Sequence, residues 1–264
     1  MTKQLILLVS PGTAAPDNRK SARTGIKRTV AEQFPGWELR EAFTSIINEA
    51  LEKAEAESVR RLIVQPLHLM HGREYAKVVC ALRERGRYFA QVVLGEPLLS
   101  SDADFAAVLL AVIRRTAEFD DGRTAVCLVG HGSGGSLEAN ADDIYIKMQK
   151  KLIQAGYKNY YVGVLKGKPS LEDIRNALKG DFLGKYRRVV LLPFMIEAGS
   201  HAKRDVAGAW KRELERDGYE VVCILEGLGQ IRQVQKLYAQ HIRDCEKMIC
   251  TGCADTFRKE VENG

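Results

Sequence analysis

Apolar residues come along this chain in short bursts, at positions 5–9, 62–65, 92–94, 126–129, 160–164, 189–192 and 221–225. The stretches between them are longer and carry the wider apolar spacing of amphipathic helices. Strand-helix alternation of this kind predicts an α/β fold of parallel sheets with helices on both faces.

The bursts are not independent of one another. Arg60-Arg61-Leu62-Ile63-Val64-Gln65-Pro66-Leu67 is echoed by Arg187-Arg188-Val189-Val190-Leu191-Leu192-Pro193-Phe194, and each copy runs on to a glycine, Gly72 or Gly199, that opens a helix-like stretch. The opening burst has its own echo. Leu7-Leu8-Val9-Ser10-Pro11-Gly12-Thr13 lines up with Cys127-Leu128-Val129-Gly130-His131-Gly132-Ser133. Two matched pairs at similar spacing predict an internal duplication. The turn-forming stretch Asp120-Asp121-Gly122-Arg123 precedes the second opening strand, so the expected halves are residues 1–121 and residues 122–264. Open parallel sheets bind ligands beyond the carboxyl ends of their strands, so two duplicated halves are expected to face a central cleft lined by strand-end residues.

A chain of 264 residues accommodates two such halves, and 45% hydrophobic with 28% charged residues is ordinary globular composition. No run approaches a transmembrane span, and the opening burst is too short for a secretory signal, so a cytoplasmic protein is expected, with no membrane partner. The formal net charge of +6 is scattered among acidic residues without a basic block interleaved with aromatics. Nucleic acid is therefore not an expected partner, whereas a polycarboxylate ligand drawn in by long-range attraction is compatible. A homo-oligomer is left open.

Of six cysteines, Cys80, Cys127 and Cys223 sit in apolar segments and read as small buried hydrophobes. Cys245, Cys250 and Cys253 crowd the tail after a helical stretch over 233–245. Their Cys-x4-Cys-x2-Cys spacing matches part of an iron-sulfur or metal ligand set, although no fourth ligand is evident nearby. Idle or reactive surface thiols are the other reading, and the tail is expected to be dispensable for folding.

The candidate chemistry stands at strand ends. His131, in Gly130-His131-Gly132-Ser133-Gly134-Gly135, follows an apolar strand in a glycine-rich turn that meets neither of the stricter phosphate fingerprints. His201 occupies a later strand end, in Glu197-Ala198-Gly199-Ser200-His201. Two imidazoles aimed at one cleft suit a divalent ion of the cobalt, nickel, iron or zinc type. His68 and His71, three apart after a strand, read either as a second metal pair or as unrelated surface histidines.

Together, Leu128-Val129-Gly130-His131-Gly132, Glu197-Ala198-Gly199-Ser200-His201-Ala202, Gln65-Pro66-Leu67-His68 with Gly72-Arg73-Glu74-Tyr75, Ala42-Phe43-Thr44-Ser45 and Gly95-Glu96-Pro97-Leu98-Leu99-Ser100-Ser101 run in one order over nearly the whole chain. In this they resemble the sirohydrochlorin cobaltochelatases, class II tetrapyrrole chelatases akin to the anaerobic ferrochelatases. The resemblance implies a chelatase-like fold and nucleotide-independent insertion of a divalent metal substrate, cobalt first and iron or nickel next, into a tetrapyrrole. It also implies His131 and His201 as metal ligands. Strand-end Pro11, Thr13 and Ser133 and the apolar Phe43, Leu69 and Met70 are expected to contact the macrocycle, and Arg73, Lys168 and Lys203 to meet its carboxylates.

One position departs from the family. Where a Val-Gly-x-x-Glu-x-x-Pro stretch is expected, the chain reads Val162-Gly163-Val164-Leu165-Lys166-Gly167-Lys168-Pro169. The family's glutamate is expected to help bind the metal and take up pyrrole protons, and insertion releases two protons per divalent ion. A charged Lys166 accepts none and repels a cation. Either Glu197, four residues before His201, supplies the carboxylate, or the protein is a non-catalytic paralogue that binds or delivers a tetrapyrrole, haem or metal.

Overall fold

The structure, a computed structural model, describes residues 2–12, 20–132, 143–180, 185–199 and 202–251. Four strands, β1 (Gln4–Ser10), β2 (Glu38–Phe43), β3 (Arg61–Pro66) and β4 (Gln91–Leu94), form a parallel sheet in the order β2-β1-β3-β4. A second parallel sheet repeats the plan, with β5 (Thr124–Gly130), β6 (Tyr160–Val164), β7 (Arg188–Pro193) and β8 (Glu220–Cys223) in the order β6-β5-β7-β8. The helices are α1 (Lys20–Gln33), α2 (Ile47–Ala56), α3 (Arg73–Arg85), α4 (Asp102–Thr116), α5 (Asp143–Gln154), α6 (Leu171–Gly180), α7 (Lys211–Arg216) and α8 (Arg232–Cys250). A π-helical segment, Ala202–Trp210, leads directly into α7.

Central strands covered on both faces must be apolar throughout, and β5 is buried at every position from Thr124 to Gly130. The edge strand β2 reads Glu-Leu-Arg-Glu-Ala-Phe and buries only Ala42 fully. It is absent from the apolar bursts for that reason. Leu7, Val9, Leu62 and Val64 of the first sheet pack with Leu51, Val78 and Leu82 from α2 and α3. Cys127, Val129, Val189 and Leu191 of the second pack with Ile174, Val206, Trp210 and Leu214. Each fully buried Leu, Ile or Val contributes about 1.5–3 kcal/mol relative to exposure.

The duplication is visible in the backbone. Leu67 N donates to Val9 O at 2.7 Å and Phe194 N to Val129 O at 2.8 Å; farther on, Leu98 N donates to His68 O at 2.9 Å and Leu228 N to Met195 O at 2.8 Å. These bonds pair Pro11-Gly12 with His131-Gly132, and both glycines take positive φ, 82° and 75°.

Two compact units result, and in each the helix that follows the fourth strand packs with the other strand set. Residues 23–100 pack with β1 and with residues 235–251, and residues 101–132 pack with the second sheet. In the first unit, α8 is tied down by Tyr238 Oη donating to His68 O at 3.0 Å, Trp37 Nε1 donating to Glu246 at 2.9 Å and Gln91 donating to Ile249 O at 3.0 Å. In the second, Asp102 of α4 pairs with Lys147 and Lys151 at 2.9 and 3.2 Å. The helix expected over 233–245 in fact runs to Cys250. It carries Cys245 into the core at 5% exposure, leaves Cys250 exposed on another face, and buries Ile242 and Ile249. No helix among the described residues is long and apolar enough to cross a membrane.

Candidate functional site

The strand order reverses direction at β1/β3 in one sheet and at β5/β7 in the other, which is where open α/β sheets leave a crevice beyond the carboxyl ends. His131 follows β5 at this point of the second sheet. Its two glycine neighbours have separate tasks. A Cβ on Gly130 would lie 2.1 Å from the Tyr145 ring, and one on Gly132 would lie 1.9 Å from the carbonyl oxygen of Lys166. Gly132 also needs its positive φ, which L side chains rarely adopt. Its N–H donates to Tyr145 Oη at 3.4 Å. His131 is half-buried, with Nδ1 3.1 Å from the Gly132 carbonyl.

The loop after β6 is pinned against this turn. Leu165 N donates to Gly130 O at 2.9 Å, Lys166 N to His131 O at 3.0 Å, and Val164 N to Pro169 O at 2.8 Å. Ser170 and Asp173 cap α6 reciprocally: Ser170 N and Oγ both donate to the Asp173 carboxylate at 2.7 Å. Hydrogen bonds from the Ser170 backbone, from Lys168 and from the Ser170 hydroxyl hold that carboxyl at about 2. Lys168 is thereby engaged with Asp173 at 2.9 Å. Lys166 behaves differently: its side chain is exposed and makes no hydrogen bond or ion pair among the described residues.

A pocket of about 340 Å³ opens here. Leu165, Leu171, Ala209 and Trp210 form its apolar lining, and His131, Lys166, Arg204 and Asp205 its polar part. Trp210 is seated on β6 because Gly163 offers no side chain; a Cβ there would meet the indole at 2.7 Å. Arg204 pairs with Asp205 at 3.0 Å. The structure thus brings together His131 and Lys166. Glu197 is half-buried after β7, on a segment against which Gly227 packs so closely that a Cβ would lie 2.4 Å from Ile196 O, and it does not line this pocket. Thr13, Ser133, His201 and Cys253 lie outside the described residues, as does the Lys203 side chain.

In the first unit, Pro11 is exposed at the end of β1, Leu69 and Met70 are half-buried after β3, and Phe43 at the end of β2 lies 4.8 Å beneath the Arg23 guanidinium. A network that sequence reading passed over joins these strand ends. Gly12 N donates to Thr44 Oγ1 and to Glu74 Oε2, both at 3.0 Å, and Thr44 and Lys77 also donate to Glu74. Burial pushes the Glu74 carboxyl up, but hydrogen bonds from Lys77, Thr44 and Gly12 outweigh it and hold it at about 2. The glycine turn and the Thr-Glu spacing were the available signals.

His68 and His71 do not form a metal pair. His68 is buried at 4% exposure, neither ring nitrogen has a hydrogen-bond partner among the described residues, and burial holds it neutral with a pKa of about 4 against the pull of Glu74. His71 is exposed and sits 2.8 Å from Glu96. Among the described residues no group of three or more His, Cys, Asp or Glu side chains could hold a metal ion. Burial pushes the Cys245 thiol up to about 12, the wrong direction for a thiolate ligand, so the iron-sulfur reading of the tail gains no support.

The cobalt chelatase (CbiK) family matches residues 4–247. The sirohydrochlorin cobaltochelatase CbiKC of Nitratidesulfovibrio vulgaris is 28% identical over 92% of this chain and 90% of its own length. The sirohydrochlorin cobaltochelatase of Salmonella typhimurium is 26% identical over 93% of this chain and 97% of its own. Two solved structures share the fold: CbiX, described as the terminal enzyme of siroheme biosynthesis in denitrifying bacteria, at a TM-score of 0.64 and 19% identity, and the Bacillus subtilis SirB with Fe3+, at 0.68 and 15%. They cover 91% and 92% of this chain, and 99% and 95% of their own.

Proposed function

Because the chain belongs to the cobalt chelatase (CbiK) family, we propose that it inserts a divalent metal, cobalt first and iron or nickel next, into sirohydrochlorin or a closely related tetrapyrrole. The observation that carries this reading is the placement of His131, held beyond β5 between two glycines that admit no other residue, beside a pocket at the sheet's switch point. An imidazole in that position suits a borderline divalent ion, and His201 is the second ligand on the strength of the family pattern. The metal arrives as substrate and leaves in the ring.

Insertion must dispose of two pyrrole protons. Lys166, exposed and charged, is a poor acceptor, so the carboxylate of Glu197 takes that part. Lys166 favours a second reading in which the protein binds ring or metal without turnover. Cobalt uptake by sirohydrochlorin, followed by the absorbance change of the ring, separates the two: insertion well above the spontaneous rate that His131→Ala abolishes supports the enzyme, and tight ring binding with no acceleration supports the carrier.

A further inference from the structure

We propose that the pocket beside His131 receives one carboxylate arm of the macrocycle, and that Lys166 is the positioning residue that holds it; this rests on the tetrapyrrole reading above. At about 340 Å³ the pocket lies at the small end of ligand sites. It suits a side arm and leaves the flat ring outside. The lining has the two parts such an arm requires. Leu165, Leu171, Ala209 and Trp210 pack against its methylene carbons, and cationic groups stand at the polar side to meet its carboxylate.

The charge count selects an anion. Among the described lining residues Arg204 pairs with Asp205 at 3.0 Å, and Lys166 adds a positive charge that no described residue pairs with. A glutamate at position 166, as in the family pattern, would reverse the sign of that charge and repel the arm. The backbone of Lys166 is fixed by its bond to His131 O and by the approach of Gly132, so the ammonium group is carried on a rigid base. A ring anchored there by one arm presents its nitrogens at a defined offset from the imidazole. The substitution that removes a proton acceptor therefore supplies a substrate contact.

The test is equilibrium binding of metal-free sirohydrochlorin, read by quenching of its fluorescence, which needs no turnover. Lys166→Gln should weaken binding about tenfold, the scale of one charge-assisted contact, and Lys166→Arg should retain most of it. The gap between wild type and Lys166→Gln should narrow with added salt. Lys158→Gln removes the same charge from an exposed position just before β6, at the opposite end of that strand, and should leave binding unchanged. Equal affinity of wild type and Lys166→Gln, or equal losses in Lys166→Gln and Lys158→Gln, would overturn the arm site while leaving the chelatase reading intact. Failure of the wild type to bind the ring would overturn both.

Discussion

Lys166 N donates to the carbonyl of His131 at 3.0 Å, while the carbonyl of Lys166 lies where a Cβ on Gly132 would have to be. The proposed metal ligand and the residue that departs from the family are thus two parts of one backbone clamp. Gly132→Ala should cost roughly 1–3 kcal/mol, from positive φ and from the displaced carbonyl, and should lower cobalt affinity along with it. Urea unfolding and cobalt titration of the variant check both; unchanged values would dissolve the clamp.

The proton acceptor is tested by two substitutions compared at saturating ring and metal. If Glu197 is the base, Glu197→Gln should lower kcat about 100-fold, within the usual range for general base catalysis, and change ring affinity less than twofold. If Lys166 disables the site, Lys166→Glu should raise kcat while also raising KM, because the arm contact is lost. Rapid wild-type turnover that survives Glu197→Gln would leave neither residue as the base.

His68 gives the protein a pH-dependent stability. Its folded pKa of about 4 lies below the ordinary 6.5, so the unfolded chain binds the proton more readily and acid favours unfolding. The contribution is fully present above pH 6.5 and is lost as pH falls toward 4. Between pH 7 and pH 5, before most carboxylates titrate, stability should drop by about 2 kcal/mol on this account. His68→Phe should flatten that slope in urea titrations at the two pH values; an unchanged slope would place the titration elsewhere.

The tail cysteines separate by burial. Cys250→Ser should be neutral, and Cys245→Ser should cost about 1–2 kcal/mol by placing a hydroxyl in an apolar site. A chain ending before Cys245 should lose considerably more, since Ile249 and the Trp37–Glu246 bond go with it. The dispensable tail expected from sequence is not what α8 provides. Thermal melts of the three variants check the order.

The central strands were legible because a strand buried on both faces must be apolar, and the duplication because β1/β5 and β3/β7 keep matching residues at their ends. Strand β2 was not, since one side of an edge strand faces solvent and Glu38, Arg40 and Glu41 break the run. At the candidate site, His131 and Lys166 were singled out from sequence, and the structure brings them to one pocket. Their contact was not, because it is made by backbone atoms, which carry no sequence label. Trp210, Arg204 and Asp205 belong to a segment some forty residues farther on, and only Gly163 hinted that a large ring lies against β6. The reach of α8 was missed because Cys245 and Cys250 drew attention as ligands, while the apolar period through Ile242, Cys245 and Ile249 marks a helix face.

Because residues 235–251 complete the unit built on residues 23–100, the earlier-synthesised of the two sheets is the later to be finished. Its strands β1 to β4 emerge well before the helix that covers them, and Tyr238, at 0% exposure against His68, is synthesised 170 residues after its partner. A nascent chain halted after β8 therefore lacks part of the first unit, which is complete only once residues 235–251 have been synthesised.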